Sequence, residues 1–181
     1  MKIVVETHRL LLREFEVSDA KDLLKLNSDP EVLKYTGDDP FTSVDDARLF
    51  LRNYNDYQKN GFGRWAVILK KTHQFIGWCG LKLNEEKQVD LGFRFYKNEW
   101  NKGYATESSK ASLKYGYEEL DIQEIIGRAA LENKASIKVL EKTGMTFWKH
   151  TKIDSIPNAV LYKLHKQDYA SKGHDSKKGN P

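Results

Sequence analysis

Along one stretch the hydrophobic and polar positions alternate strictly: Val89, Leu91, Phe93 and Phe95 interleave with Asp90, Gly92, Arg94 and Tyr96. A period of two predicts a strand with one apolar and one polar face. Downstream the period changes. Ala105 to Leu120 holds no proline and sets Ala105, Ser109, Ser112, Leu113, Gly116, Tyr117 and Leu120 on one side at helical spacing. A basic turn around Gly103 joins the two.

The same reading covers the rest of the chain. Arg9 to Glu14 reads as a strand. Ser18 is a candidate N-cap for a helix carrying Ala20, Leu23, Leu24 and Asn27, and Pro30 opens a short helical piece to Tyr35. After the loop Gly37-Asp38-Asp39-Pro40, Ser43 caps a longer helix expected to run to about Asn60, with Val44, Ala47, Phe50, Leu51, Tyr54 and Tyr57 inward. Trp65–Lys70, Phe75–Leu83 and Gln88–Tyr96 predict an antiparallel meander, with Gly77 and Gly80 marking a bulge or a close backbone approach. The helix after it must cross over to a parallel strand, Glu124–Ala130. A further helix to Thr143 stops at Gly144, and Met145–Thr151 with Asn158–His165 predicts a final hairpin. The letters Gly61-Phe62-Gly63-Arg64-Trp65-Ala66 match a dinucleotide fingerprint, but a helix precedes and a strand follows, the reverse of what that motif needs.

With 181 residues the chain suits one domain, expected over 1–168, with 169–181 as a basic, disordered tail. No run of 18 apolar residues predicts a membrane span. The N-terminus, Met1-Lys2-Ile3-Val4-Val5-Glu6, is too soon charged for a signal peptide, and one cysteine, Cys79, suits a cytoplasmic protein and reads as a small buried hydrophobe. A net charge of +4 fits a polyanionic ligand or weak nucleic-acid contact. The lysines cluster only in the tail, so nucleic acid is an unlikely partner except through the ribosome. No zinc-ligand spacing appears, and no metal is expected.

A strand, a glycine turn and a helix N-terminus together make an anion site, because unpaired N–H groups and the helix dipole point outward there. The residues at this turn, Trp100-Asn101-Lys102-Gly103-Tyr104-Ala105-Thr106-Glu107, resemble the acyl-CoA pyrophosphate loop of the GNAT N-acetyltransferase superfamily, most of all the branch with the ribosomal-protein N-terminal alanine acetyltransferases. Glycine is usual there at the place of Asn101, and asparagine tolerates left-handed geometry. Asn133-Lys134-Ala135-Ser136, followed by Val139-Leu140-Glu141-Lys142-Thr143-Gly144, resembles a second element of that branch.

The resemblance implies an α/β (α+β) GNAT fold: a mixed, mostly antiparallel twisted sheet of about six to seven strands, splayed at its centre and flanked by about four helices. It implies acetyl-CoA as cofactor and a primary amine as acceptor, either a protein N-terminus or a small molecule, and is compatible with a homodimer. Lys102, Gly103, Tyr104, Ala105 and Thr106 would hold the phosphates. The main chain of Phe93 and Phe95 would pair with the pantetheine arm, and Asn133 and Ser136 would meet the pantetheine and sulfur. Asp90 and Glu99 are the two candidates for general base, Asp90 with an alternative life in a cross-strand ion pair with Arg94. Many relatives carry a general-acid tyrosine where Leu140 stands, which leaves Ser136 or water to stabilise the thiolate. Tyr35, Phe41 and Tyr54 are candidate acceptor contacts, each also explicable as core. The rival readings are a non-catalytic acyl-CoA or protein-binding module and a ribosome- or RNA-associated protein.

Overall fold

The period-two stretches become eight strands of one sheet in the computed structural model, which describes residues 2–153 and 156–175. They are β1 (Ile3–Glu6), β2 (Leu10–Arg13), β3 (Arg64–Leu69), β4 (Gln74–Leu83), β5 (Val89–Phe95), β6 (Glu124–Ala130), β7 (Thr146–Ile153) and β8 (Ile156–His165), in the spatial order β1-β2-β3-β4-β5-β6-β8-β7. The helices are α1 (Ala20–Leu26), α2 (Pro30–Leu33), α3 (Val44–Asn53), α4 (Asp56–Asn60), α5 (Tyr104–Glu118), α6 (Lys134–Lys142) and α7 (Lys166–Asp175).

Alternation sorts the strand residues between two cores. Leu10, Leu12, Trp65, Val67, Cys79, Leu81, Leu91 and Phe95 pack on one face with Leu113 and Tyr117 of α5 and Leu140 of α6. Ala66, Ile68 and Phe75 pack on the other with α1, α2 and α3. Helix α5 lies close on the first face because its buried seam is small: Ser108, Ser109, Ser112 and Gly116. Cys79 Sγ is 3.5 Å from the Ser112 hydroxyl, and burial pushes its thiol up, as suits the expected packed hydrophobe. Gly77 does mark a bulge. Val67 faces Gly77 and Ile68 faces Phe75, so Ile76 is the extra residue, and a Cβ on Gly77 would stand 2.2 Å from the Arg94 carbonyl.

All pairings among the strands are antiparallel except β5 with β6. That parallel pair is short, running from Val89 opposite Ile125 to Leu91 opposite Gly127. Beyond it β5 stays with β4 to Phe95, while β6 stays with β8 to Ala130. A wedge-shaped gap therefore opens between Gly92–Phe95 and Arg128–Ala130, the expected central splay.

The four-residue β1 was too short to read from its pattern. One expectation is corrected. The helix from Ser43 breaks at Tyr54, which turns extended (φ −73°, ψ 102°). There its hydroxyl accepts the Arg64 N–H at 2.6 Å, while the Tyr57 hydroxyl donates to the Arg64 carbonyl and accepts the Phe15 N–H at 3.1 Å. These bonds cap the start of β3 and offset the lost helical turn; Phe50 is left exposed rather than inward. Helix α7 carries Tyr169, which stacks on Tyr117 at 4.9 Å and donates to Glu118. The tail beyond residue 175 lies outside the described residues.

Candidate active site

Because β5 and β6 run parallel, the helices that follow them start at the same end of the sheet. Helix α5 begins ten residues or fewer beyond the end of β5, and α6 begins just after β6. Both N-termini lie on the α5–α6 face, beside the mouth of the gap. A crevice outside the carboxyl ends of diverging strands is the place where open α/β sheets bind ligands.

The loop into α5 is shaped by two left-handed residues, Asn101 (φ 60°) and Gly103 (φ 81°). The first backbone donor of α5 to find a helical acceptor is Glu107, which bonds the Gly103 carbonyl at 3.0 Å. Among the described residues no acceptor pairs with the N–H groups of Lys102, Gly103, Tyr104, Ala105 or Thr106. The exposed Lys102 adds charge, although its Nζ is 3.0 Å from Glu99. A Cβ on Gly103 would meet only Arg9 Nη2, at 3.3 Å, so the loop is open to close approach.

Arg9 and Thr7, which the sequence did not single out, fix this loop. Glu107 accepts from the Thr7 hydroxyl (2.6 Å), the Arg9 N–H (2.9 Å) and Arg9 Nε (2.6 Å). Arg9 Nη1 also donates to the Lys102 carbonyl at 2.9 Å, and its guanidinium lies 4.5 Å over the Tyr104 ring. Burial alone would raise the Glu107 carboxyl, but the Thr7 hydroxyl, the Arg9 N–H and the Arg9 guanidinium together hold it below the usual carboxylate range.

On β5, the Tyr96 N–H donates to the Ile76 carbonyl across to β4 at 3.1 Å. Alternation then turns the main chain of Phe93 and Phe95 the other way, into the gap. The Phe95 carbonyl is taken by the Trp100 indole N–H at 3.0 Å, and Phe93 is opposite no residue of β6. At α6, the Asn133 side chain caps the helix by accepting the Ser136 N–H at 3.1 Å. Ser136 itself is half-buried. Leu140 is 1% exposed and fills the core against Gly127, so no proton donor stands in its place.

Asp90 is not the free carboxylate a solvated base would be. It is 4% exposed, and Oδ2 is 2.6 Å from Arg64 Nη2 and 3.4 Å from Arg128 Nη2. Its partner is therefore not Arg94, which instead binds Asn27 (2.7 Å) and Asp38. The remaining oxygen, Oδ1, is buried without a hydrogen-bond partner among the described residues. The Arg64 guanidinium reaches Asp90 across two glycines: a Cβ on Gly92 would lie 2.5 Å from Nη2, and Nη1 bonds the Gly80 and Asp90 carbonyls. Glu99 is tied to Lys102. Of the acceptor candidates, Phe41 and Tyr54 join one aromatic ladder through Phe50, at centroid distances of 5.5 Å and 5.7 Å, and Tyr54 touches β3 through Arg64. Tyr35 stands apart, beneath Lys34.

A sheet that opens between two parallel strands, with a glycine-turned helix N-terminus beside the opening, is the architecture of an acyl-CoA-dependent transferase. The chain belongs to the GNAT acetyltransferase family, whose model, described as an Acetyltransferase (GNAT) domain, matches residues 9–146. It is 33% identical over 172 residues to the uncharacterized N-acetyltransferase p20 of Bacillus licheniformis, covering 91% of this chain and 97% of that one. It is also similar to the crystal structure of a GNAT-family acetyltransferase from Bacillus anthracis, with 31% identity and a TM-score of 0.76 over 92% and 99% of the two chains. The fold is shared with a Vibrio cholerae spermidine N-acetyltransferase in complex with CoA and spermine (20% identity, TM-score 0.76, 91% and 99% covered). It is shared equally with the ribosomal-protein-S5-alanine acetyltransferase of Vibrio fischeri (15%, 0.77, 91% and 97%). The family is thus established, while the alanine branch is one structural neighbour among several. Among the described residues no helix is long and apolar enough to cross a membrane.

Proposed function

We propose that this acetyltransferase acetylates a primary amine, on a small molecule or a protein N-terminus, by direct attack in a ternary complex. The observation that carries the reading is the row of unpartnered N–H groups from Lys102 to Thr106 beside the β5–β6 gap. This cradle fits the pyrophosphate of acetyl-CoA in charge, in donors and in the open approach at Gly103. Acetyl-CoA, when bound, supplies the acetyl group of its thioester to the neutral amine, leaving an amide and the free thiol.

The chain's own groups then have distinct tasks. Lys102 to Thr106 hold phosphate. The Phe93 main chain offers strand-like pairing and an N–H donor toward a developing oxyanion. Asn133 and Ser136 line the α6 side, where the Ser136 hydroxyl donates to the leaving sulfur. A protein α-amine near pKa 8 is about one-quarter neutral at pH 7.5, so it needs far less help from a base than a lysine amine near 10.4. That suits a site whose Asp90 and Glu99 are both held in ion pairs. Asp90 is better placed to position arginines than to take a proton.

Thermal unfolding with acetyl-CoA, CoA and ATP tests the cradle. Ligand at about a hundred times its dissociation constant adds about 2.7 kcal/mol, a rise of several degrees for a domain of this size. Both CoA forms should give the rise and ATP little, and Gly103→Val should abolish it without unfolding the protein. No rise with either CoA form would refute the cofactor site.

A further inference from the structure

With acetyl-CoA in the cradle on the α5–α6 face, the acceptor must reach the gap from the opposite face, where α1–α3 lie. Arg64, Arg94 and Arg128, with Asp90 and Asp38, border the gap on that side. Arg94, whose side chain is largely buried, is held by Asn27 and its own carboxylate partner, Asp38. Arg64 is likewise largely buried and held by Asp90 and two carbonyls. Trp78 lies between these two guanidinium groups, 5.4 Å from Arg64 and 5.2 Å from Arg94.

Arg128 differs. It is the first residue of β6 past the last pairing with β5, and its side chain is 34% exposed. Among the described residues its one ion pair is the 3.4 Å approach to an Asp90 oxygen already held by Arg64 at 2.6 Å. One carboxylate thus faces two guanidinium groups, and the Arg128 positive charge, without a carboxylate of its own, stands at the narrow end of the gap where the strands begin to part. Of the acids flanking the early helices, Asp38 pairs with Arg94, Asp45 with Arg48, and Asp46 with the N–H and hydroxyl of Thr42, which leaves the exposed Asp39.

We propose that the acceptor is a small amine bearing a carboxylate, of the α-amino-acid class, and that Arg128 determines this specificity by binding the carboxylate. A guanidinium matches a carboxylate with two parallel hydrogen bonds, which fixes the acceptor's orientation as well as its affinity. The same net positive charge disfavours polyamines. This inference rests on the acetyl-CoA reading above.

The test is thiol release from acetyl-CoA by the full chain, with α-amino acids, their α-carboxamides and spermidine as acceptors, in wild type, Arg128→Ala and Arg128→Lys. Amino acids should exceed both their amides and spermidine in kcat/KM by about tenfold or more. Arg128→Ala should raise KM for the acids about tenfold, change kcat little, bring the acid-to-amide ratio toward one and leave the acetyl-CoA thermal shift unaltered. Arg128→Lys should recover only part of the loss. Spermidine as the preferred acceptor, an acid-to-amide ratio untouched by Arg128→Ala, or acetyl-CoA binding without turnover of any carboxylate-bearing amine would each overturn the assignment. No acetyl-CoA binding at all would instead overturn the cofactor reading, and the assignment with it.

Discussion

Glu107→Gln is the perturbation that most directly tests how the cofactor loop is held. The wild-type carboxylate accepts three hydrogen bonds, from the Thr7 hydroxyl, the Arg9 N–H and Arg9 Nε, joining positions about a hundred residues apart. It also lies in the first turn of α5, where the dipole favours negative charge by about 0.3–1 kcal/mol. The amide keeps the shape and one acceptor oxygen but loses the charge, and charge-assisted bonds exceed neutral ones by about 1 kcal/mol each. Arg9 is 38% exposed, so water screens part of this. A net loss of about 1–2 kcal/mol follows, or roughly 3–6 °C in Tm. The pH dependence is more diagnostic. The folded Glu107 carboxyl is held below its ordinary value of 4.5, so the unfolded chain binds the proton more readily. The stabilisation is therefore full above the unfolded value and is lost as pH falls through the folded one. Tm measured from pH 3 to 8 should show a wild-type advantage that is constant above about pH 5.5 and disappears in acid. A Glu107→Gln protein as stable as wild type at neutral pH, or a gap that persists unchanged to pH 3, would refute the clamp.

Three further outcomes are expected. Asp19→Ala should cost about 3–5 kcal/mol by chemical denaturation, because it strands the 7%-exposed Arg13, which holds both Asp19 oxygens at 2.6 and 2.7 Å; a cost below 1 kcal/mol would contradict this. Gly92→Ala should cost about 2–3 kcal/mol by pushing the Arg64 guanidinium off Asp90, and should cost far less in an Arg64→Ala background, a coupling that a double-mutant cycle reads directly. Ser136→Ala should lower kcat more than it weakens acetyl-CoA binding, because its backbone cap to Asn133 survives the loss of the hydroxyl; equal losses would confine the serine to binding.

What was legible in the sequence was whatever local spacing encodes. The facing of β5 followed from alternation, and the small buried seam of α5 from helical spacing. The left-handed turn was readable at Asn101 and Gly103. The break at Tyr54 was not legible, because no glycine or proline marks it. Its cause is a hydrogen bond to Arg64, which belongs to the next strand.

Asp90 shows the same limit at the centre of the site. Its polar facing was correctly read, and Arg94, four residues on with that facing, was the natural partner to expect from sequence. Strand pairing overrides that local choice. Gly80 and Gly92 clear a lane across the sheet from β3, so the Arg64 side chain arrives from 26 residues away, and the register of β6 brings Arg128 from 38. Nothing in the linear spacing of either arginine reports this, yet it decides the chemistry. Under the proposed reading, a carboxylate shared by two guanidinium groups serves to position them, and Arg128 is the one left to meet the acceptor.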